Sequence, residues 1–182
     1  TPRGEAVVMA FGRVRTELEA TLAKLESPLG EGASRDLFWS LGMRTSARNA
    51  LRGVISQITA SAVSAEVELN LGDGVAITAM VTRQSAEDLG LEVGTPAIAL
   101  IKASFVMLAV GEGLRTSARN QLPGVVTARE DGGVNSEITL DIGGGKTLIA
   151  TVTRDSAEAL GLAVGVRAMA LIKAPHVILA VE

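Results

Sequence analysis

The chain has no cysteine and no tyrosine, and only one histidine, one tryptophan and three phenylalanines among 182 residues. The absence of cysteine excludes a disulfide framework, a thiolate metal site and a cysteine nucleophile, and it fits a reducing, cytoplasmic compartment. Scarce aromatics weigh against base stacking on nucleic acid. No apolar run approaches the roughly 20 residues needed to cross a bilayer, so no membrane partner is expected. "AVVMAF" is too short for a signal peptide and acids follow it. The formal net charge of −3 argues against a general polyanion-binding surface. It leaves room for a small local anion pocket.

What is present is aliphatic. Hydrophobic residues make up 47% of the chain and charged ones 20%, the composition of a packed globular protein with a core of Val, Ile, Leu and Ala. The chain also repeats itself. Slid by about 71 residues it lies on itself without a gap, and roughly half the positions are identical. "RTSARN" at 44–49 returns at 115–120. "VTRQSAEDLGLEVG" returns as "VTRDSAEALGLAVG", and "AIALIKASFVMLAV" as "AMALIKAPHVILAV".

Each repeat reads mainly as β. "GVISQITASAVSAEVELNL" alternates apolar and polar residues about a turn at 60–62, as a half-buried hairpin does. "GVAITAMVT" is a further strand after the turn "GDG". "SAEDLGL" predicts one to two helical turns ending at Gly90. The last apolar stretch predicts one or two strands with a break near Ala103–Ser104. Four or five short strands and one helical turn in each repeat predict a closed barrel of OB type. The expected architecture is therefore mainly β: two tandem OB-like β-barrels, over 43–111 and 112–182, preceded by a helix and linker over 1–42. In that first stretch Ala6, Met9, Val14, Leu18, Leu22 and Leu25 recur at helical spacing and form the apolar face of a long amphipathic α-helix.

Positions kept alike in both repeats are candidates for a shared task. Thr82 and Thr153 stand before "SA" at the start of a helical turn, where Thr serves as an N-cap; the same N–H groups can also seat an anion. Lys102 and Lys173 lie in "LIKA", inside an apolar strand. Such a lysine faces solvent, or meets an anionic partner if half-buried. In strand geometry Ser46 and Arg48 share one face, as do Ser117 and Arg119. They are either a solvated strand start or a hydroxyl beside a guanidinium fork, a pair suited to an oxyanion. One Arg and one Lys, with neutral donors, suit a compact tetrahedral dianion. No nucleophile–base pair can be assembled from the kept residues, so an enzyme is not expected. The single histidine, His176, is matched by Phe105 and reads as a strand residue.

"TSARN", "SAEVELNLGDGVAITAMVTRQSAEDLGLEVG" and "IKASFVMLAV", with their second copies, resemble the molbindin (Mop) domain, and the tandem resembles a di-Mop module. The resemblance implies OB-like barrels that bind molybdate, or tungstate, at subunit interfaces, and hence a homodimer or other homo-oligomer. It implies ligand contacts from Ser46, Arg48, Thr82, Ser85, Ala86 and Lys102, and from Ser117, Arg119, Thr153, Ser156, Ala157 and Lys173. "TPRGEAVVMAFGRVRTELEATLAKLE" resembles the end of the winged helix-turn-helix domain of ModE-type molybdate-responsive regulators. That resemblance implies an effector-sensing part of a transcriptional regulator, with DNA bound only through a domain absent from this chain. The alternatives are a cytoplasmic molybdate store and the regulatory tail of a molybdate transporter ATPase. The first helix favours the sensor.

Overall fold

The computed structural model describes residues 45–111 and 113–181. The long helix expected over 1–42 lies outside the described residues. The first repeat forms β1 (Asn49–Ala60), β2 (Ser64–Gly72), β3 (Val75–Thr82), a short helix α1 (Arg83–Asp88), β4 (Pro96–Ile101), a 3-10 turn (Ala103–Phe105) and β5 (Met107–Ala109). The second forms β6 (Asn120–Asp131), β7 (Asn135–Gly143), β8 (Lys146–Thr153), α2 (Arg154–Ala159), β9 (Arg167–Ile172), a 3-10 turn (Ala174–His176) and β10 (Ile178–Ala180). The fold is mainly β, as the alternation predicts, and the helical turn and the break after Ile101 fall where expected.

Period-two patterning sets the faces. In β2, Ala65, Val67 and Leu69 are buried, while Glu66, Glu68 and Asn70 lie on the other side. The tight turn between β2 and β3 needs left-handed backbone at Gly72, Asp73 and Gly74. β1 coils sharply enough to pair with both β2 and β4. A bulge between Ile55 and Gln57, repeated between Val126 and Ala128, provides the extra twist. Gly53 and Gly124 sit just before these bulges. A Cβ at Gly53 would stand 2.6 Å from the Asn70 carbonyl oxygen, and one at Gly124 2.7 Å from that of Asp141.

The sheets are not built from one repeat each. Their strand orders are β10-β4-β1-β2-β3 and β5-β9-β6-β7-β8. Thus β10 of the second repeat pairs antiparallel with β4 of the first (Ile178 opposite Leu100), and β5 of the first pairs with β9 (Met107 opposite Leu171). The exchange starts at the 3-10 turns, which end β4 and β9 and lead the chain across to the other sheet. One continuous aliphatic core results. Ile55, Val67, Leu69 and Ile77 belong to the same buried cluster as Val126, Ile138, Leu140 and Leu148, and Val106 and Val177 join it from just beyond the turns.

Candidate functional site

The structure places Thr82 and Thr153 at the N-caps of α1 and α2. Thr82 Oγ1 accepts from the Ser85 backbone N–H at 3.0 Å and donates to Ser85 Oγ at 2.7 Å. Thr153 and Ser156 repeat this at 3.2 and 2.7 Å. Ala86 is half-buried and Ala157 buried. Each helix carries an i,i+4 ion pair, Arg83–Glu87 and Arg154–Glu158. That accounts for four further residues kept in both repeats.

The other half of the candidate set departs from the expected geometry. Ser46, Arg48, Ser117 and Arg119 do not lie in strands. They occupy bent lead-ins that end where β1 and β6 begin, at Asn49 and Asn120. Strand pairing starts only where the asparagine meets Ile101 or Ile172 across the ladder. Lys102 and Lys173 are likewise not strand residues. Each follows the last residue of β4 or β9, caps a 3-10 turn and is exposed. The Lys102 ammonium lies 5.9 Å from the Phe105 ring centroid, within cation–π range. His176 is in a 3-10 turn, not a strand, and its ring packs 4.6 Å from that of Phe105.

The arginines of the candidate set reach across to the other repeat. Arg119 donates from Nε and Nη2 to Glu66 Oε1, at 3.2 and 2.9 Å. Arg48 donates from Nη2 to Glu137 Oε1 at 2.6 Å. Glu66 stands opposite Met80 on β3, and Ser64 stands opposite Thr82. Thr82 is therefore the diagonal neighbour of Glu66 on the outer face, and such neighbours lie about 7–8 Å apart. The same relation holds for Glu137, opposite Thr151, and Thr153, opposite Asn135. Each arginine is thus tied to a carboxylate on the other repeat's β2 or β7, one diagonal step from that repeat's Thr–Ser helix cap. The 3-10 turn that follows each lysine packs on the same strand, Ala174–His176 on β3 and Ala103–Phe105 on β8. Glu66 raises the pKa of the Arg119 guanidinium further, through the hydrogen bond first and charge second.

The TOBE domain family matches residues 45–108 and again 116–179. The chain belongs to this family. The chain is 51% identical to the molybdenum-pterin-binding protein MopA of Rhodobacter capsulatus over 99% of its length and 69% of that protein. It is 38% identical to the molybdenum transport protein ModE of Azotobacter vinelandii, over 100% of this chain and 69% of that one. Among solved structures, the cytoplasmic molybdate-binding protein ModG, in a form with molybdate bound, superposes with a TM-score of 0.75 at 43% identity. That match covers 77% of this chain and all of ModG.

Two features of the TOBE repeats escape sequence reasoning. The first is the task of Asn49 and Asn120, the last residues of "TSARN". Both are buried. Asn49 donates to the carbonyl of Ile149 at 2.9 Å and accepts from its N–H at 2.6 Å. Asn120 does the same to Thr78, at 2.8 and 2.6 Å. Each amide thus pairs with the backbone of the other repeat's β3 or β8, as one residue of a strand would. Their retention in both copies was the only available signal. The second feature is the pairing of Glu66 and Glu137 with the arginines. Alternation marks both as outward-facing, but period alone cannot show that the partner lies in the other repeat.

Proposed function

We propose that the chain binds molybdate, with tungstate as its analogue, in two equivalent pockets that each draw on both repeats. One pocket combines Ser117, Arg119 and Lys173 with Thr82, Ser85 and Ala86. The other combines Ser46, Arg48 and Lys102 with Thr153, Ser156 and Ala157. The observation that carries this reading is the pairing of Arg119 with Glu66, whose diagonal neighbour is Thr82, and of Arg48 with Glu137, whose diagonal neighbour is Thr153. Guanidinium and ammonium supply charge, and hydroxyls add hydrogen bonds suited to a tetrahedral dianion. The likeness to ModG, solved with molybdate bound, supports the same ligand class.

The role is that of an effector sensor in a cytoplasmic regulator of molybdenum uptake or use. ModG matches only 77% of this chain, whereas the ModE proteins of Azotobacter vinelandii and Escherichia coli match 100% and 97% of it. The first 42 residues are therefore matched by ModE proteins, and by MopA over 99% of the chain as well, so the sensor reading is supported by the likeness to ModE rather than by that stretch alone. The bound dianion bridges groups from both repeats, so it favours the arrangement in which they converge. A homo-oligomer would carry that bias to DNA through a separate domain. Titration calorimetry with molybdate, tungstate and sulfate tests the binding, and no heat with molybdate would end the proposal. A gene that encodes Walker motifs ahead of Thr1, rather than a winged helix, would end the sensor reading alone.

A further inference from the structure

The arginines assigned to the oxyanion already hold an anion. Arg119 gives two donors to Glu66, and Arg48 gives one to Glu137. Both carboxylates come from the other repeat, and both pairs are half-open to solvent, with side-chain exposures of 58% and 36% for Arg119–Glu66 and 58% and 31% for Arg48–Glu137. An open, solvent-screened ion pair of this kind adds little to the stability of a fold, which is little reason to keep it in duplicate. Its position suggests another role. With one Arg and one Lys alone, each pocket carries two positive charges; the adjoining glutamate cancels one of them.

We propose that Glu66 and Glu137 are internal competitors that set the affinity of the two oxyanion pockets and their discrimination by ligand charge. The inference rests on the pocket assignment given above. A dianion entering beside Arg119 takes donors from Glu66 and then lies beside that carboxylate, which β2 holds in place, so like charges repel and affinity falls. The penalty is coulombic, so it scales with ligand charge. A tetrahedral monoanion of similar shape suffers about half of it in free energy. The glutamates therefore weaken binding of dianions more than that of monoanions. They keep the pockets poised to release ligand as well as to take it up.

The test is calorimetric titration of the parent, Glu66→Gln, Glu137→Gln and the double variant with molybdate and with the monoanion perrhenate. Glutamine keeps the shape and a carbonyl acceptor but removes the charge. Glu66→Ala, which removes the acceptor as well, is measured beside them. Molybdate affinity at the altered pocket should rise about five- to tenfold at low salt, and perrhenate affinity by roughly the square root of that factor. The gain should shrink as salt is added. Unchanged or weaker molybdate binding in the Gln and Ala variants overturns the inference, as does an equal gain for both anions. A parent that binds no molybdate overturns the pocket assignment, and this inference with it.

Discussion

The side-chain amide of Asn49 and the backbone of Ile149 form a closed two-bond ring across the repeats, with bonds of 2.9 and 2.6 Å. Asn49 also donates to the Ile101 carbonyl, its neighbour across the ladder, at 3.2 Å. One buried side chain therefore ties β1, β4 and β8 together. Asn49→Ala leaves an N–H and a carbonyl of β8 without partners, at a cost of roughly 2–4 kcal/mol. Asn49→Asp keeps the acceptor, loses both donated bonds and buries a charge. Urea unfolding should rank parent, then Ala, then Asp at neutral pH, and Asn120 should give the same order. Equal stability of parent and Asn49→Ala would refute this account of the ring.

Strand exchange predicts an effect at a distance. Removal of residues 178–182 takes β10 away from β4 of the first repeat, where it pairs over Ile98–Leu100. Amide exchange should then accelerate at β4, while β9, which keeps β5 as its neighbour, stays protected. Loss of protection confined to β9 would contradict the exchanged topology.

Pocket composition predicts which substitutions share a fate. Arg119→Ala and Thr82→Ala should each abolish the same class of molybdate site, so the double variant loses no more than either single one. Arg119→Ala combined with Thr153→Ala should lose both classes. The count of bound anions per chain, from equilibrium dialysis, separates the two outcomes. If Arg119→Ala proves additive with Thr82→Ala and redundant with Thr153→Ala, each pocket lies within one repeat.

The repeats diverge at one polar cluster. Arg129 donates to Asp131 at 2.8 Å and to the Leu162 carbonyl at 3.1 Å, and the buried Ser136 donates to Asp131 at 2.6 Å. The first repeat has Ile58, Ala60 and Ala65 at these places. The Arg129 bond first, and the Ser136 bond second, hold the Asp131 carboxyl below its ordinary value of 3.8. A lowered folded-state value gives stability that is present in full above that ordinary value and is lost as pH falls through the lower one. Asp131→Asn removes this contribution. Its melting temperature should therefore fall less than the parent's between about pH 5 and pH 2.5. Parallel acid limbs would show that the cluster has no part in acid unfolding.

Gly53→Ala puts a methyl where the Asn70 carbonyl oxygen already stands. Overpacking of this kind costs about 1–3 kcal/mol, and the adjacent bulge leaves β1 little room to shift. Ala at Gly74, where a Cβ meets nothing within 4 Å, brings no clash, and only its left-handed backbone, φ 76°, resists the change. Thermal unfolding of the two variants, with Gly53→Ala melting lower, checks the difference.

Much of this was legible in the sequence because it is local. Alternation in "AEVELNL" gives the faces of β2, "GDG" gives its turn, and "TRQSAED" gives a capped helical turn. The duplication pointed to Thr82, Ser85, Arg48 and Lys102. The lead-in with Ser46 and Arg48 reads as strand because two alternating residues cannot show where a ladder begins; the partner of Asn49 decides that. The exchange of β5 and β10 was not legible for a related reason. The repeats are so alike that each terminal strand finds nearly the same neighbours in either sheet, and periodicity reports faces rather than partners. Glu66 and Glu137 read as outer-face residues and are so, but a face does not reveal what approaches it from another repeat.

Exchange also changes how the protein answers to dilution. A lone repeat would have to borrow its fifth strand from a second molecule, and its folding would follow the square of concentration. Here lender and borrower are joined by the ten residues between β5 and β6, so the loan is intramolecular and the local concentration of the partner is fixed by the linker. The pair should form as readily at the scarcity of a regulator as at the abundance of a storage protein. Neither copy can be deleted without leaving the other's sheet one strand short.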